Sequence, residues 1–176
     1  SSVPSAGSNS VTASRGSALL WDRRTSKPLY NLIAGPCRRT ADMCERLRRE
    51  GAEETLRRRT GQWLRPDNAA TKVRWMLEKS PDAQAAWTAR TCVFGPAESW
   101  VLWMLTGGQL HALDHAGASQ TLLYDLESED WAEDLCELLQ APRALLPELR
   151  PSGGNFGMAA ADLFGDEIPI CAMLPA

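Results

Sequence analysis

Between Thr91 and Pro142 the sequence has no lysine or arginine, against nine acidic residues. The net charge of -3 is thus unevenly distributed, and only the basic half could mark a nucleic-acid surface. Histidine is scarce as well, with His111 and His115 the only two. Four positions apart, with Asp114 between them, they would share a face on a helix. The local alternation favours strand and turn instead, and no third ligand stands near, so no metal centre is expected. The five cysteines (Cys37, Cys44, Cys92, Cys136, Cys171) are odd in number, widely spread and without a C-x-x-C pair. Reduced thiols in a cytoplasmic protein are the simplest expectation. No apolar run approaches the ~20 residues that span a bilayer, so a soluble protein with no membrane partner is expected. Neither phosphate-cradling glycine pattern, G-x-x-x-x-G-K-[ST] or G-x-G-x-x-G, occurs, and the glycine pairs at Gly107-Gly108 and Gly153-Gly154 read as turns. No Ser or Cys sits in a nucleophile elbow, which leaves hydrolase chemistry unsupported.

What is present fits an ordinary core. With 176 residues, 44% hydrophobic and 23% charged, the chain is long enough for one domain. The basic residues concentrate between Arg38 and Arg74, where 11 accompany 6 acidic ones. In "ERLRREGAEETLRRRTG" the two signs alternate at helical spacing, which predicts solvated, ion-paired helix faces rather than a nucleic-acid patch.

Strands and helices alternate along the chain. Residues 1–10, "SSVPSAGSNS", are Ser-rich and unpatterned and read as a flexible tail. "ALLWDRRTSKPLYNLI" reads as strand, turn, strand. "TADMCERLRREG" predicts a helix capped by Thr40 and stopped by Gly51. "AATKVRWMLEKS" predicts another with Val73, Met76 and Leu77 on one face, and Ser80-Pro81 both ends it and starts a short helix. "TCVFG" is β-like, and "PAESWVLWMLTGG" is a helix apolar on every side, expected to be buried on both flanks. "QLHALD" and "TLLYDL" read as strands. "SEDWAEDLCELLQ" reads as an amphipathic helix capped by Ser128, with Trp131, Leu135, Leu138 and Leu139 buried. A loop-rich stretch leads to a last strand in "IPICAML". The seven Trp are expected to pack in the core. The pattern predicts an α/β layered fold.

From about Val11 onward, the stretches "LLWDRRTSKPLYNLI", "CRRTADMCERLRREG", "RRRTG", "ATKVRWMLEKSPDAQAAW", "FGPAESWVLWMLTGGQLHALD", "GASQTLLYDLESEDW" and "APRALLPELRPSGGNFG" keep an order and spacing that closely resemble the amino-terminal domain of FGGY carbohydrate kinases, the glycerol kinases above all. "SRGS" and "NFG…LFG" lean toward the atypical glycerol kinase branch. The resemblance implies a ribonuclease H-like, actin-like domain, here incomplete, over residues 11–176. It also implies phosphoryl transfer from Mg-ATP to a terminal hydroxyl of glycerol or a related polyol or sugar. In this family the run like "IPICAML" leads to a general-base Asp, which aligns with Ala176 or just past it, so no catalytic residue carries over. The family's phosphate loop and second domain also have no counterpart here. Tight nucleotide binding by these residues is therefore not expected, while unpaired sheet edges would favour self-association.

At the polyol site the family's Q-R-E-T stretch matches "SRGS". Arg15 is kept, and Ser14 and Gly16 replace the Gln and Glu. The planar guanidinium suits vicinal oxygens, so Arg15 is the one substrate-binding residue carried over. Gly35-Pro36 replaces a Trp-Gln pair before Cys37-Arg38-Arg39-Thr40, and Asp67 replaces an aromatic. Without the resemblance Arg15 is an exposed strand-end arginine, Arg38 and Arg39 belong to an ion-pair network at a helix start, and Asp114 holds a turn. Three functions stay open: part of an ATP-dependent polyol kinase, a degenerate non-catalytic FGGY-like binding module, and a scaffold or nucleic-acid domain using the basic helices.

Overall fold

Leu19, Leu20 and Trp21 are buried whichever way they point, so their strand has to lie between others. In the computed structural model, which describes residues 10–11 and 15–174, this strand is the middle of a three-stranded sheet. The elements in chain order are β1 (Ser10–Val11), β2 (Leu19–Asp22), β3 (Lys27–Pro28), α1 (Ala41–Arg49), α2 (Ala52–Thr60), α3 (Ala69–Lys79), α4 (Pro81–Thr88), β4 (Cys92–Gly95) and α5 (Ala97–Leu105). There follow β5 (Ala112–Asp114), α6 (His115–Ala118), β6 (Tyr124–Asp125), β7 (Asp130–Trp131), α7 (Glu133–Leu139), β8 (Glu148–Arg150), β9 (Met158–Ala159), α8 (Ala161–Phe164), β10 (Ile168–Pro169) and β11 (Ala172–Met173). The tail expected over residues 1–10 lies outside the described residues except for Ser10, which pairs in β1.

β2 runs antiparallel to both β3 and β4, with Trp21 opposite Pro28 on one side and Val93 on the other. The turn between β2 and β3 closes on Asp22, whose Oδ1 accepts the amides of Arg24 and Thr25. Alternation along the strand sends its side chains to two layers. Leu20 and Phe94 join the main core with Ile33, Val73 and Met76, whereas Leu19, Trp21, Val93 and Trp103 form a second cluster. Two parallel pairs, β1 with β11 and β5 with β8, and the antiparallel pairs β6 with β7 and β9 with β10 complete the α/β arrangement.

Several local expectations hold. Ser80 Oγ accepts the Ala83 amide with Pro81 in the first turn, so one serine closes α3 and opens α4. Gly51 sits at φ 84 between α1 and α2. All five cysteines are free thiols. Ion pairs link Arg49 with Glu45 and Arg74 with Glu78 along single helices, and Arg59 reaches across to Asp125 at 2.6 Å and Asp134 at 2.8 Å.

Others are corrected. Thr40 precedes α1 but makes no side-chain cap, because its Oγ1 turns to the Pro66 carbonyl and Thr71 Oγ1 instead. Ser128 caps nothing. The chain from Asp125 to Trp131 folds back as the β6–β7 pair, Ala132 N donates to Leu123 O, and α7 starts only at Glu133. Leu138 is 37% exposed rather than buried. Helix α5 is not covered all round, since Val101 and Met104 are exposed while Leu102 and Trp103 face inward. Its apolar sequence hides an ordinary one-sided burial. Trp21, Trp103 and Trp131 lie in the core, but Trp63 and Trp87 do not. No helix among the described residues is long and apolar enough to cross a membrane.

Candidate functional site

Three loops that lie far apart in sequence meet over the first turn of α3. They are the segment before β2 with Arg15 and Gly16, the segment before α1 with Gly35 to Arg38, and the segment before α3 with Arg65 to Asn68. Lys72 fastens them. Its side chain is fully buried, and Nζ donates to the carbonyl oxygens of Gly16 at 2.5 Å, Gly35 at 3.0 Å and Asp67 at 3.1 Å. A buried ammonium needs all three of its donors satisfied, and one carbonyl from each loop does so. Burial draws Lys72 down to about 8, so the group remains protonated at neutral pH.

The crossing is so close that it specifies glycine. Gly16 has φ +67, and a Cβ there would collide with the Asp67 carbonyl oxygen; a Cβ on Gly35 would collide with the Arg15 carbonyl oxygen. Side chains further along the loops stabilise the same junction. Asn68 Oδ1 accepts the Arg65 amide at 2.7 Å, and Asn68 Nδ2 reaches Gln62, which donates to the carbonyl of Ser119 and to Gln120. Arg48 Nη2 donates to Leu64 O at 2.9 Å from the side of α1.

Above this floor opens a cleft of about 870 Å³. Arg15, Arg38 and Arg65 line it together with Asp67, Trp63 and Cys37. Arg65 pairs with Asp67 at 3.2 Å, and the Arg57 guanidinium lies 4.1 Å from the centre of the Trp63 ring. Arg39, expected in an ion-pair network, instead stacks 4.7 Å from the Trp75 ring centre, with Nε 3.0 Å from Cys37 Sγ. The Arg39 amide and guanidinium hold the Cys37 thiol below its usual range. Arg38 is exposed and unpaired among the described residues.

Arg15, singled out by sequence, does line the cleft; Ser14 lies outside the described residues. Gly35 and Asp67 line the cleft, and Gly16 lies at the Lys72 junction beneath it. Lys72 was missed. The available signal is a lysine set in an otherwise buried stripe of Ala69, Ala70, Thr71, Val73 and Met76. Asp114 is a turn-holder, accepting the Gly117 amide at 2.9 Å and the Ser152 hydroxyl at 2.5 Å. The histidines diverge, His111 bonding to the Phe94 carbonyl and His115 to the Tyr124 hydroxyl. Glu98 was also overlooked: it is buried in the first turn of α5 with Oε2 unpartnered.

The model of the FGGY family of carbohydrate kinases, N-terminal domain, matches residues 8–174. The chain belongs to the FGGY family. A glycerol kinase of Pseudothermotoga lettingae is 42% identical over 161 residues, covering 92% of this chain and 32% of the relative. One from Methylobacterium nodulans is 44% identical over 160 residues, 91% of this chain and 32% of the relative. Among solved structures, Plasmodium falciparum glycerol kinase with ADP superposes at a TM-score of 0.88 with 28% identity, covering 93% of this chain and 33% of that one. Rhodospirillum rubrum xylulose kinase has the same fold, at a TM-score of 0.80 over 93% of this chain and 33% of its own, with 23% identity. The chain thus spans about a third of the length of these relatives.

The glycine pair Gly107-Gly108 forms a helix end and not a phosphate cradle. Gly107 and Gly108, at φ 60 and 78, terminate α5, and a Cβ on Gly108 would meet the Trp103 ring. Among the described residues no group of three or more His, Cys, Asp or Glu is placed to hold a metal ion.

Proposed function

We propose that this chain forms the acceptor-binding wall of a carbohydrate kinase, holding a small polyol or sugar whose terminal hydroxyl receives the γ-phosphoryl of Mg-ATP. The observation that carries the reading is the cleft itself, where Arg15 stands over a floor fixed by Lys72. Phosphoryl transfer depends mainly on positioning the acceptor and stabilising charge. A rigid floor with guanidinium donors above it serves the first need. Nucleotide binding, the general base and the transfer itself are not assigned to residues of this chain.

A second reading has one specific observation in its favour. Gly16 and Gly35 occupy the positions where the family resemblance implies a carboxylate and an aromatic, and the packing leaves no room for either. A non-catalytic module that keeps the fold and binds a ligand would have the same geometry.

A thermal-shift panel of neutral and acidic polyols, Mg-ATP and an oligonucleotide tests the proposal. Stabilisation by a polyol is expected, that by an acidic polyol being lost in Arg15→Ala, with none from Mg-ATP alone. Stabilisation by the oligonucleotide or nucleotide with no response to any polyol would overturn it. An ADP-release assay with polyol and Mg-ATP separates the two readings. Polyol-dependent turnover in the intact enzyme supports the kinase, and polyol binding without turnover supports the module.

A further inference from the structure

The hydrogen-bonding groups around the cleft are unevenly spent. The acceptors at its base are committed, because the carbonyls of Gly16, Gly35 and Asp67 all take hydrogens from Lys72. Asn68 Oδ1 takes the Arg65 amide, Gln62 Oε1 takes Asn68 Nδ2, and Gln120 Oε1 takes Gln62 Nε2. Cys37 Sγ takes Arg39 Nε. Among the described residues Asp67 is the one carboxylate in the lining. Its Oδ2 pairs with Arg65, and its unpartnered Oδ1 is shut off from solvent. The donors are not committed in this way. Arg15 and Arg38 are exposed and line the cleft, and their guanidinium groups make no hydrogen bond or ion pair among the described residues.

A neutral polyol presents hydroxyls that both donate and accept, and a site built for it needs acceptors as well as donors. This cleft offers two unspent guanidinium forks, while its side-chain acceptors are already partnered or shut off from solvent. Among the described residues its charged lining is three arginines against one aspartate, with the Lys72 ammonium beneath. An arginine fork matches the paired oxygens of a carboxylate or phosphate. We propose that the cleft takes a small polyhydroxylated anion, a polyol bearing a carboxylate or phosphate, with Arg15 and Arg38 as the side chains that bind its charged end. The inference rests on the acceptor-wall reading above and names the ligand class for it.

Calorimetric titration of the protein with D-glycerate, glycerol 3-phosphate, glycerol and inorganic sulfate tests it. Carboxylate or phosphate polyol should bind at least tenfold more tightly than glycerol and than sulfate. Which of the two is tighter identifies the charged group. Arg15→Ala and Arg38→Ala should each weaken the anions at least tenfold and leave glycerol nearly unchanged, while Arg58→Ala, an exposed charge outside the cleft, leaves all unchanged. Raising the salt should weaken anion binding selectively, as expected for exposed charges. Both arginines are exposed, so the variants should fold, and their unfolding midpoints check this. Glycerol binding as tightly as glycerate overturns the inference and leaves the acceptor-wall reading standing. Sulfate binding as tightly as both acids reduces the site to a bare anion hole and also overturns it. Binding by none of the four contradicts both.

Discussion

Lys72 Nζ donates to the carbonyl oxygen of Gly35 at 3.0 Å across 37 positions of sequence, from a side chain with no solvent exposure. With the carbonyls of Gly16 and Asp67 this makes one residue the joint of three loops. Replacing it by Met keeps the volume and removes every donor, leaving buried carbonyls unpaired at ~1–3 kcal/mol each. Lys72→Met should lose at least about 3 kcal/mol in urea unfolding, with the slope unchanged. A loss under about 1 kcal/mol would mean that water replaces the ammonium and that the joint is not structural.

Gly35→Ala tests the closeness of the same crossing. The added methyl would overlap the Arg15 carbonyl oxygen, which the Lys72 network prevents from moving freely. The expected cost is about 1–3 kcal/mol, the usual range for overpacking. Gly153→Ala, where a Cβ meets nothing within 4 Å, is the control and should be near neutral. Equal effects at both positions would contradict the packing.

Glu98 gives a pH-dependent test remote from the cleft. It is 5% exposed, and burial, reinforced by the charge of Asp114, pushes its carboxyl up to about 7. The folded value lies above the ordinary one near ~4.3, so the unfolded chain releases this proton first as pH rises. Its stabilising contribution is therefore complete below about pH 4 and is lost as pH rises through about 7. Glu98→Gln stays neutral throughout. The variant should match the parent near about pH 4 and exceed it at pH 8 by on the order of 2–3 kcal/mol. A difference that does not change between those pH values would show that Glu98 is ionised in the folded protein.

Much of this was legible from local pattern. β2, β4 and the Ser80-Pro81 junction each depend on residues within a few positions, so their signals survive in the linear sequence, whereas β3 forms at Lys27–Pro28 inside the expected turn and the apolar run after it contributes only the Ile33 bridge to Ala18. The failures occur where tertiary partners override local chemistry. Thr40 and Ser128 both have the composition of helix caps, but Thr40 Oγ1 is taken by Thr71, and the segment after Ser128 is needed to pair with β6. The cleft was half legible. Arg15 was found through family resemblance, whereas Lys72 was invisible because its partners come from loops that only the fold brings together.

The most direct test of the acceptor-wall account is to follow backbone amide resonances while titrating in a polyol or polyol acid that binds. Shifts should concentrate at Arg15 and Gly16, Gly35 to Arg38 and Arg65 to Asn68, and those caused by a polyol acid should vanish in Arg15→Ala. The protein offers a second opening of about 500 Å³ beside Leu110, Arg150 and Asn155. Shifts centred there, with the Lys72-linked loops unmoved, would contradict the account.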